Sequence, residues 1–182
     1  MRKLLFAFLV LSQPALAQQV IAPSSGSVIS LYANGTSVGN GADTTEDTLM
    51  TYTLPANTLA NVGDAIHIIA GGTFAGTTDN KTARVRFGGI AGVAIGAPNG
   101  ATTGQLTWYI DGWIVKTGSN TQSFISGGQT TTNNNGSLTG TASKTDTATN
   151  DIVVTGRNVT ASSASSITCQ TLLVQYVKAS GT

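Results

Sequence analysis

Short apolar stretches recur along the chain from Ser27 onward, and each ends at a turn signal rich in Gly, Asn, Asp or Pro. No window of about twelve residues shows the periodicity of an amphipathic helix. Short alternating segments separated by turn signals are typical of strands. We therefore predict an all-β fold, a jelly-roll-like antiparallel β-sandwich of eight to ten strands. The stretches that carry this prediction are residues 27–33, 48–54, 65–72, 82–89, 104–118, 121–128, 150–156 and 166–178.

The alternation also predicts which side chains form the core. Successive side chains of a strand point to opposite faces, so Val85 and Phe87 share the inner face while Arg84 and Arg86 share the outer one. The side chains predicted to be largely buried are Ile66, Ile68, Val85, Phe87, Ile110, Val153, Leu172 and Val174.

The longest stretch, residues 104–118, contains both tryptophans. Gly112 at its middle predicts a bulge or a bend. If Gly112 keeps the register, the two faces are Trp108, Ile110 and Ile114 on one side and Tyr109, Asp111, Trp113 and Val115 on the other. Two apolar faces indicate a central strand, or an outer face that meets another subunit. Core packing is expected for one tryptophan, and a subunit interface or stacking on a sugar is the alternative for the other.

Residues 127–150 contain almost no apolar side chain. Leu138 and the alternating threonines favour a weakly paired edge hairpin that turns at Asn135-Gly136, with a mobile tip. In this interpretation the loop around residues 130–149 lies at an exposed end of the subunit.

The first seventeen residues have the features of a secretory signal peptide. Arg2 and Lys3 precede an apolar run, and Ala15-Leu16-Ala17 forms a small-x-small site before Gln18. The apolar run is shorter than the roughly 20 residues that a membrane-spanning helix needs, so no membrane span is expected. The segment is either cleaved or retained as an apolar anchor. The predicted organisation is a leader at 1–17, a linker at 18–26 and a β-sandwich domain at 27–182.

Composition narrows the possible partners. Charged residues make up 9% of the 182 residues, against about 25% in an average globular protein. Without the two basic residues of the leader, seven basic residues face eight acidic ones, and the net charge is −1. No basic patch exceeds Arg84 and Arg86, so nucleic-acid binding is not expected. The one cysteine, Cys169, allows no internal disulfide and is predicted to be buried in a strand.

Residue types for catalysis are scarce, and we predict that the protein is not an enzyme and needs no cofactor. His67 is the single histidine, and it alternates with Ile66 and Ile68 in a predicted strand. A structural histidine with satisfied hydrogen bonds is favoured over a general base. The sequence contains no phosphate-binding loop and no dinucleotide-binding motif.

Three acidic residues, Asp43, Glu46 and Asp47, raise the alternative of a calcium site. Calcium binds six to eight oxygen atoms on a shaped loop, and this run lacks the spacing and the glycine of an EF-hand. The favoured interpretation is that Asp43, with Thr44 and Thr45, caps a turn that enters a strand.

Four residues are predicted as possible subunit contacts. Arg84 and Arg86 form a charged stripe that pairs with an acid of a neighbouring chain, such as Asp47, and Trp113 is the candidate for an apolar contact.

The runs "ADTTEDTLMTYTLPANTL" and "GDAIHIIAGGTFAGTTDNKTARVRFGG" resemble a module of tailed-phage virion proteins. The resemblance is close over residues 40–89 and continues more loosely through "LTWYIDGWIV" to the closing strand. It implies β-sandwich subunits of trimeric appendages, such as fibre tips, head decorations or spikes.

The expected function is a structural virion protein at the virion surface, either a capsid decoration or a fibre or attachment subunit. Its expected partners are itself as a homotrimer, other virion proteins, and a host surface glycan or protein. The alternative is a secreted bacterial surface or adhesive protein.

The two alternatives differ at the N-terminus. A secreted protein is expected to begin at Gln18, because the leader is removed after Ala17. A virion protein made in the cytoplasm is expected to keep Met1 or to begin at Arg2. Intact-mass spectrometry of the mature protein distinguishes these outcomes, and detection of neither N-terminus would contradict both.

Overall fold

The computed structural model describes residues 27–77, 79–100, 105–131, 134–160 and 164–180. The predicted leader at 1–17 and linker at 18–26 lie outside the described residues. The described part of the chain is all-β, as predicted, and contains twelve strands: β1 (Val28–Asn34), β2 (Val38–Gly39), β3 (Glu46–Leu54), β4 (Ala65–Phe74), β5 (Lys81–Phe87), β6 (Val93–Gly96), β7 (Asn99–Gly100), β8 (Leu106–Gly118), β9 (Thr121–Thr130), β10 (Asn134–Ala142), β11 (Asn150–Asn158) and β12 (Ile167–Val177).

The strands form two antiparallel sheets that face each other. The seven-stranded sheet has the order β1-β12-β4-β8-β9-β10, and β2 pairs with β12. The five-stranded sheet has the order β3-β11-β5-β6, and β7 pairs with β5. Most connections cross from one sheet to the other, as in a jelly roll. The β9–β10 hairpin extends the larger sheet beyond β8 and makes its face wider.

The core lies between the two sheets and follows the predicted alternation. All eight side chains that the sequence assigns to the interior are buried, which confirms that part of the prediction. Seven of them belong to the main apolar cluster, whereas Val153 lies outside it. Val153 pairs with Thr51 and Arg86, on the outer face of the five-stranded sheet, where neighbouring side chains cover it. A buried side chain of this protein therefore does not always lie on the inner face of its sheet.

Gly112 does not form the predicted bulge. It pairs in regular register with Ile68 of β4 and with Ser126 of β9. An added Cβ would lie 3.3 Å from the Ser126 Cβ, so the glycine fits a close approach of side chains and not a bend. Because the register continues through Gly112, Trp108 and Trp113 point to opposite faces of β8.

The hairpin predicted in residues 127–150 is present, but its turn is not at Asn135-Gly136. Strand β10 begins at Asn134, and its pairing with β9 is irregular between Asn134 and Ser137. Asn135 and Gly136 therefore lie within a strand irregularity. Nine residues of the predicted loop at 130–149 form the edge strand β10. The strand count also exceeds eight to ten because β2 and β7 have only two residues each, too few for a recognisable pattern.

Charged side chains are buried at one end of the sandwich, where they join loops to strands. Lys116 Nζ lies 2.8 Å from Asp146 Oδ2 and donates to the carbonyl of Leu59 at 2.8 Å. Asp146 also accepts hydrogen bonds from the backbone N–H of Asn120 and the side chain of Gln122. Because a buried ammonium group needs such partners, this network connects the loop after β10 to strands β8 and β9.

Phe87→Ala is expected to lower the free energy of unfolding by about 3–5 kcal/mol, because Phe87 is almost fully buried and its removal leaves a cavity. Chemical denaturation followed by circular dichroism measures this loss. Val62→Ala, at an exposed loop position, is the control and should change stability by less than about 0.5 kcal/mol. A loss below about 1 kcal/mol for Phe87→Ala would contradict the assigned inner face.

Candidate functional site

The outer face of the seven-stranded sheet carries a group of polar and aromatic side chains, here called the His67 cluster: His67, Asp111, Trp113 and Gln175. The strand register brings them together, because His67 lies opposite Gln175 of β12 and opposite Trp113 of β8. Opposed residues of an antiparallel pair are about 4.5–5.5 Å apart. Asp111 lies two residues before Trp113 and points to the same face.

His67 has a partner at each ring nitrogen. Its Nε2 lies 2.8 Å from Asp111 Oδ1, and its Nδ1 lies 3.1 Å from Gln175 Oε1. The imidazole also stacks on Trp113, with ring centroids 4.2 Å apart and planes at 12°. These contacts satisfy the hydrogen-bonding groups of His67, as the sequence predicts. They hold Asp111 in place and cover one face of the Trp113 indole.

Next to this cluster the sheet face is open. Tyr109 is 43% exposed and Ile125 is 52% exposed, and the Asp111 side chain is 47% exposed. Gly127 lies directly opposite Asp111 on β9 and is itself exposed. Exposed aromatic and apolar side chains around a carboxylate are the composition of an interaction surface.

The outer face of the five-stranded sheet carries a second group, the Glu46 cluster: Glu46, Arg84, Arg86 and Thr155. Arg86 donates from Nε and Nη2 to the two carboxylate oxygens of Glu46, both at 2.8 Å. Arg84 Nη1 lies 3.3 Å from Glu46 Oε2, and the Thr155 hydroxyl donates to Oε1. The two-pronged contact of Arg86 is the strongest geometry for an arginine and a carboxylate.

The cluster controls the protonation of Glu46. Burial disfavours the carboxylate, but the hydrogen bonds from Arg86 and Thr155 and the charges of both arginines outweigh it, so the pKa of Glu46 is lowered to about 2. Glu46 is therefore ionised at neutral pH. The two arginines and one carboxylate leave the cluster with one net positive charge.

The three acidic residues considered for calcium have separate partners. Asp43 Oδ1 accepts hydrogen bonds from the N–H and the hydroxyl of Thr45, which lower the pKa of Asp43. Asp47 Oδ2 accepts from the N–H of Gly41 at 2.8 Å, and Glu46 belongs to the arginine cluster. Asp43 thus caps the turn before β3, as predicted. Within the described residues, no group of three or more His, Cys, Asp or Glu side chains is arranged to hold a metal ion.

The predicted subunit-contact residues lie on different surfaces. Arg84 and Arg86 are on the outer face of the five-stranded sheet, as the alternation predicts, and Trp113 is on the outer face of the seven-stranded sheet. Asp47, near the start of β3, is not the acid that binds the arginines within the chain; Glu46 is. The sequence reasoning placed Tyr109 and Asp111 beside Trp113 but missed Gln175 and Gly127, because their proximity depends on strand pairing.

Cys169 is fully buried in β12, as predicted. Burial raises the pKa of its thiol to about 11, and a thiol is a poor nucleophile because the thiolate is the reactive form.

In the part of the chain that is described, no helix has the length and apolar character needed to cross a membrane.

No family model matches the sequence, and no curated protein matches it. Among solved structures the chain is similar to "Structure of the CBM2 module of Lactobacillus casei BL23 phage J-1 evolved Dit". The two chains share 10% sequence identity with a TM-score of 0.40, over 85% of this chain and 81% of that one. A similarity of this degree does not bear on function, which has to be inferred from the residues of the chain itself.

Stability should fall as the pH falls through the range in which Glu46 is protonated. Its pKa is about 2 in the folded chain and 4.5 as a free side chain, so its contribution is complete above about pH 5 and is lost between about pH 5 and pH 2. The free energy of unfolding should be measured across this pH range in the natural protein and in Glu46→Gln. The variant should lose about 1–2 kcal/mol less than the natural protein as the pH falls, after allowance for solvent screening. Asp151→Asn on the same sheet is the control. An unchanged pH dependence in Glu46→Gln would contradict the assigned role of the cluster.

Proposed function

We propose that the chain is a non-enzymatic structural protein of a bacteriophage virion, exposed at the virion surface as a capsid decoration or as a fibre or attachment subunit. The observation that carries the proposal is the place of the phage-like module in the fold. Asp43 caps the entry to β3, Pro55 follows its end, and Gly88 and Gly89 turn β5 into β6 with positive φ angles. The module therefore builds strands and turns of the sandwich, and this use of its residues supports a structural role.

The chemistry of the described residues supports a role without catalysis. A general base needs a free nitrogen within reach of substrate, and both nitrogens of His67 are engaged within the protein. The Cys169 thiol is buried. The charged groups that are held most closely, Glu46 with Arg86 and Lys116 with Asp146, connect strands and loops. These side chains hold elements of the sandwich together.

We further propose that the protein forms a homotrimer. A ring of three requires two different patches on each subunit. The Arg84–Arg86 stripe and Trp113 lie on opposite outer faces, and contact between two opposite flat faces would repeat as a stack and not close. A closed ring therefore uses one of these faces together with an edge of the sandwich. The exposed edge strand β10 is the suitable edge, because a ring contact would cover its free backbone groups.

A secreted bacterial surface or adhesive protein is the second candidate. The observation that favours it is the leader-like run at residues 1–17, with its basic start and small-x-small site. Both candidates use the same exposed faces for binding, so the location of the protein, and not its fold, distinguishes them.

The virion proposal predicts that purified phage particles contain this chain and that the isolated protein has three times the 18.5 kDa mass of the chain. Particle proteomics and light scattering during gel filtration, at micromolar concentration, measure the two properties. A monomer that is absent from particles would contradict the proposal, and a secreted protein that starts at Gln18 would support the second candidate.

Adsorption of phage to host cells distinguishes a capsid decoration protein from an attachment subunit. If the protein is an attachment subunit, the purified protein should compete with phage for binding to host cells, whereas a decoration protein should not.

A further inference from the structure

Gly127 occupies an exposed strand position where the fold does not require glycine. Among the described residues, a Cβ added to Gly127 would meet no atom within 4 Å, and the φ of Gly127 is not in the left-handed region. Two other strand glycines have steric reasons: an added Cβ would collide with the Thr168 carbonyl at Gly72 and with the Phe124 ring at Gly140. Glycine weakens a strand interior and often marks a place where a ligand or another backbone approaches closely.

Polar, aromatic and apolar side chains surround Gly127 on the outer face of the sheet. Asp111 lies directly across on β8, and Tyr109 lies opposite Gln129, two residues along on the same face. Ile125 lies two residues before Gly127 and is more than half exposed. The resulting shallow site, called the Gly127 depression, is lined by Tyr109, Asp111, Ile125, Gly127 and Gln129.

We propose that the Gly127 depression binds a saccharide. A pyranose has an apolar C–H face and a rim of hydroxyl groups, and the depression offers one partner for each. Tyr109 supplies an exposed aromatic ring, and the exposed Gln129 amide can both donate and accept. This inference deepens the attachment form of the proposed function and takes its biological setting from it.

The Asp111 carboxylate is positioned to accept hydrogen bonds from sugar hydroxyl groups. Its Oδ1 is held by His67 Nε2 at 2.8 Å, which fixes the direction of the carboxylate, and its side chain is 47% exposed. A carboxylate has about four acceptor positions on its two oxygens, so acceptor capacity remains after the contact with His67. His67 is thus a positioning residue, and Asp111 is the residue that contacts the sugar.

Tyr109, and not Trp113, provides the stacking surface. The Trp113 indole already has His67 stacked on one face. Tyr109 has a glycine, Gly71, directly opposite it on β4, so the residue opposite has no side chain to cover the ring. A second copy of the chain fits this surface less well, because a protein interface here would bury the Asp111 carboxylate with only His67 to compensate.

The test uses the full chain and a panel of methyl glycosides of glucose, galactose, N-acetylglucosamine and rhamnose, titrated to about 50 mM because single sugars bind in the millimolar range. Backbone amide shifts in NMR spectra report both affinity and location. At least one glycoside should shift the amides of Asp111, Gly127 and Gln129. Tyr109→Ala and Gly127→Val should each weaken binding by about tenfold or more.

Gly127→Val should fold normally, because its new side chain points into open space, and its thermal midpoint checks this. Gly35→Val is the matched control. Among the described residues, an added Cβ at Gly35 also meets nothing within 4 Å, but Gly35 lies in the loop after β1, so the affinity of Gly35→Val should equal that of the natural protein. Absence of binding by every glycoside, or binding that Gly127→Val leaves unchanged, would overturn the saccharide site.

The experiments distinguish failure of the saccharide-site proposal from failure of the proposed function. If the chain is found in particles but binds none of the glycosides, the saccharide site is wrong and the virion proposal stands. If the glycosides bind at the depression but the chain is absent from particles, the site stands and the virion proposal is wrong.

Discussion

Apolar contact between the inner faces of the two sheets is the interaction on which the rest of this structure depends. Ile68 and Ile110 from the larger sheet and Val85 from the smaller one are fully buried in a single cluster. Because strand side chains alternate, burial of one set determines the direction of the other set as well. The His67 and Glu46 clusters are therefore consequences of the core: their members occupy the alternate positions of the same strands.

The few charges of the chain are used mainly as connections inside it. Glu46 joins β3 to β5 through Arg86, and Lys116 joins β8 to the loop that contains Asp146. Buried ion pairs of this kind contribute little net stability, but the loss of one partner is costly. Both pairs thus join separate elements of the sandwich.

The sequence predicted the parts of the fold that depend on local alternation, and it failed where distant strands determine the outcome. The inward direction of Phe87 and the outward direction of Arg86 follow from the alternation alone. The regular pairing of Gly112 and the irregularity at Asn135 depend on contacts with neighbouring strands, which single-strand propensities do not contain. The same limit applies to the candidate site. Tyr109 and Asp111 share a face within one strand, whereas the opposition of Gly127 to Asp111 requires the register of β9.

The pairing of the first and last described strands has a consequence for how the domain can be joined to other proteins. Val28 at the start of β1 lies opposite Val177 at the end of β12, and the N–H of Lys178 donates to the carbonyl of Ser27. The two ends of the sandwich domain therefore meet at one point of its surface. A domain with adjacent ends can be inserted into a loop of a host protein, or circularly permuted with a short connector, without disturbing the core.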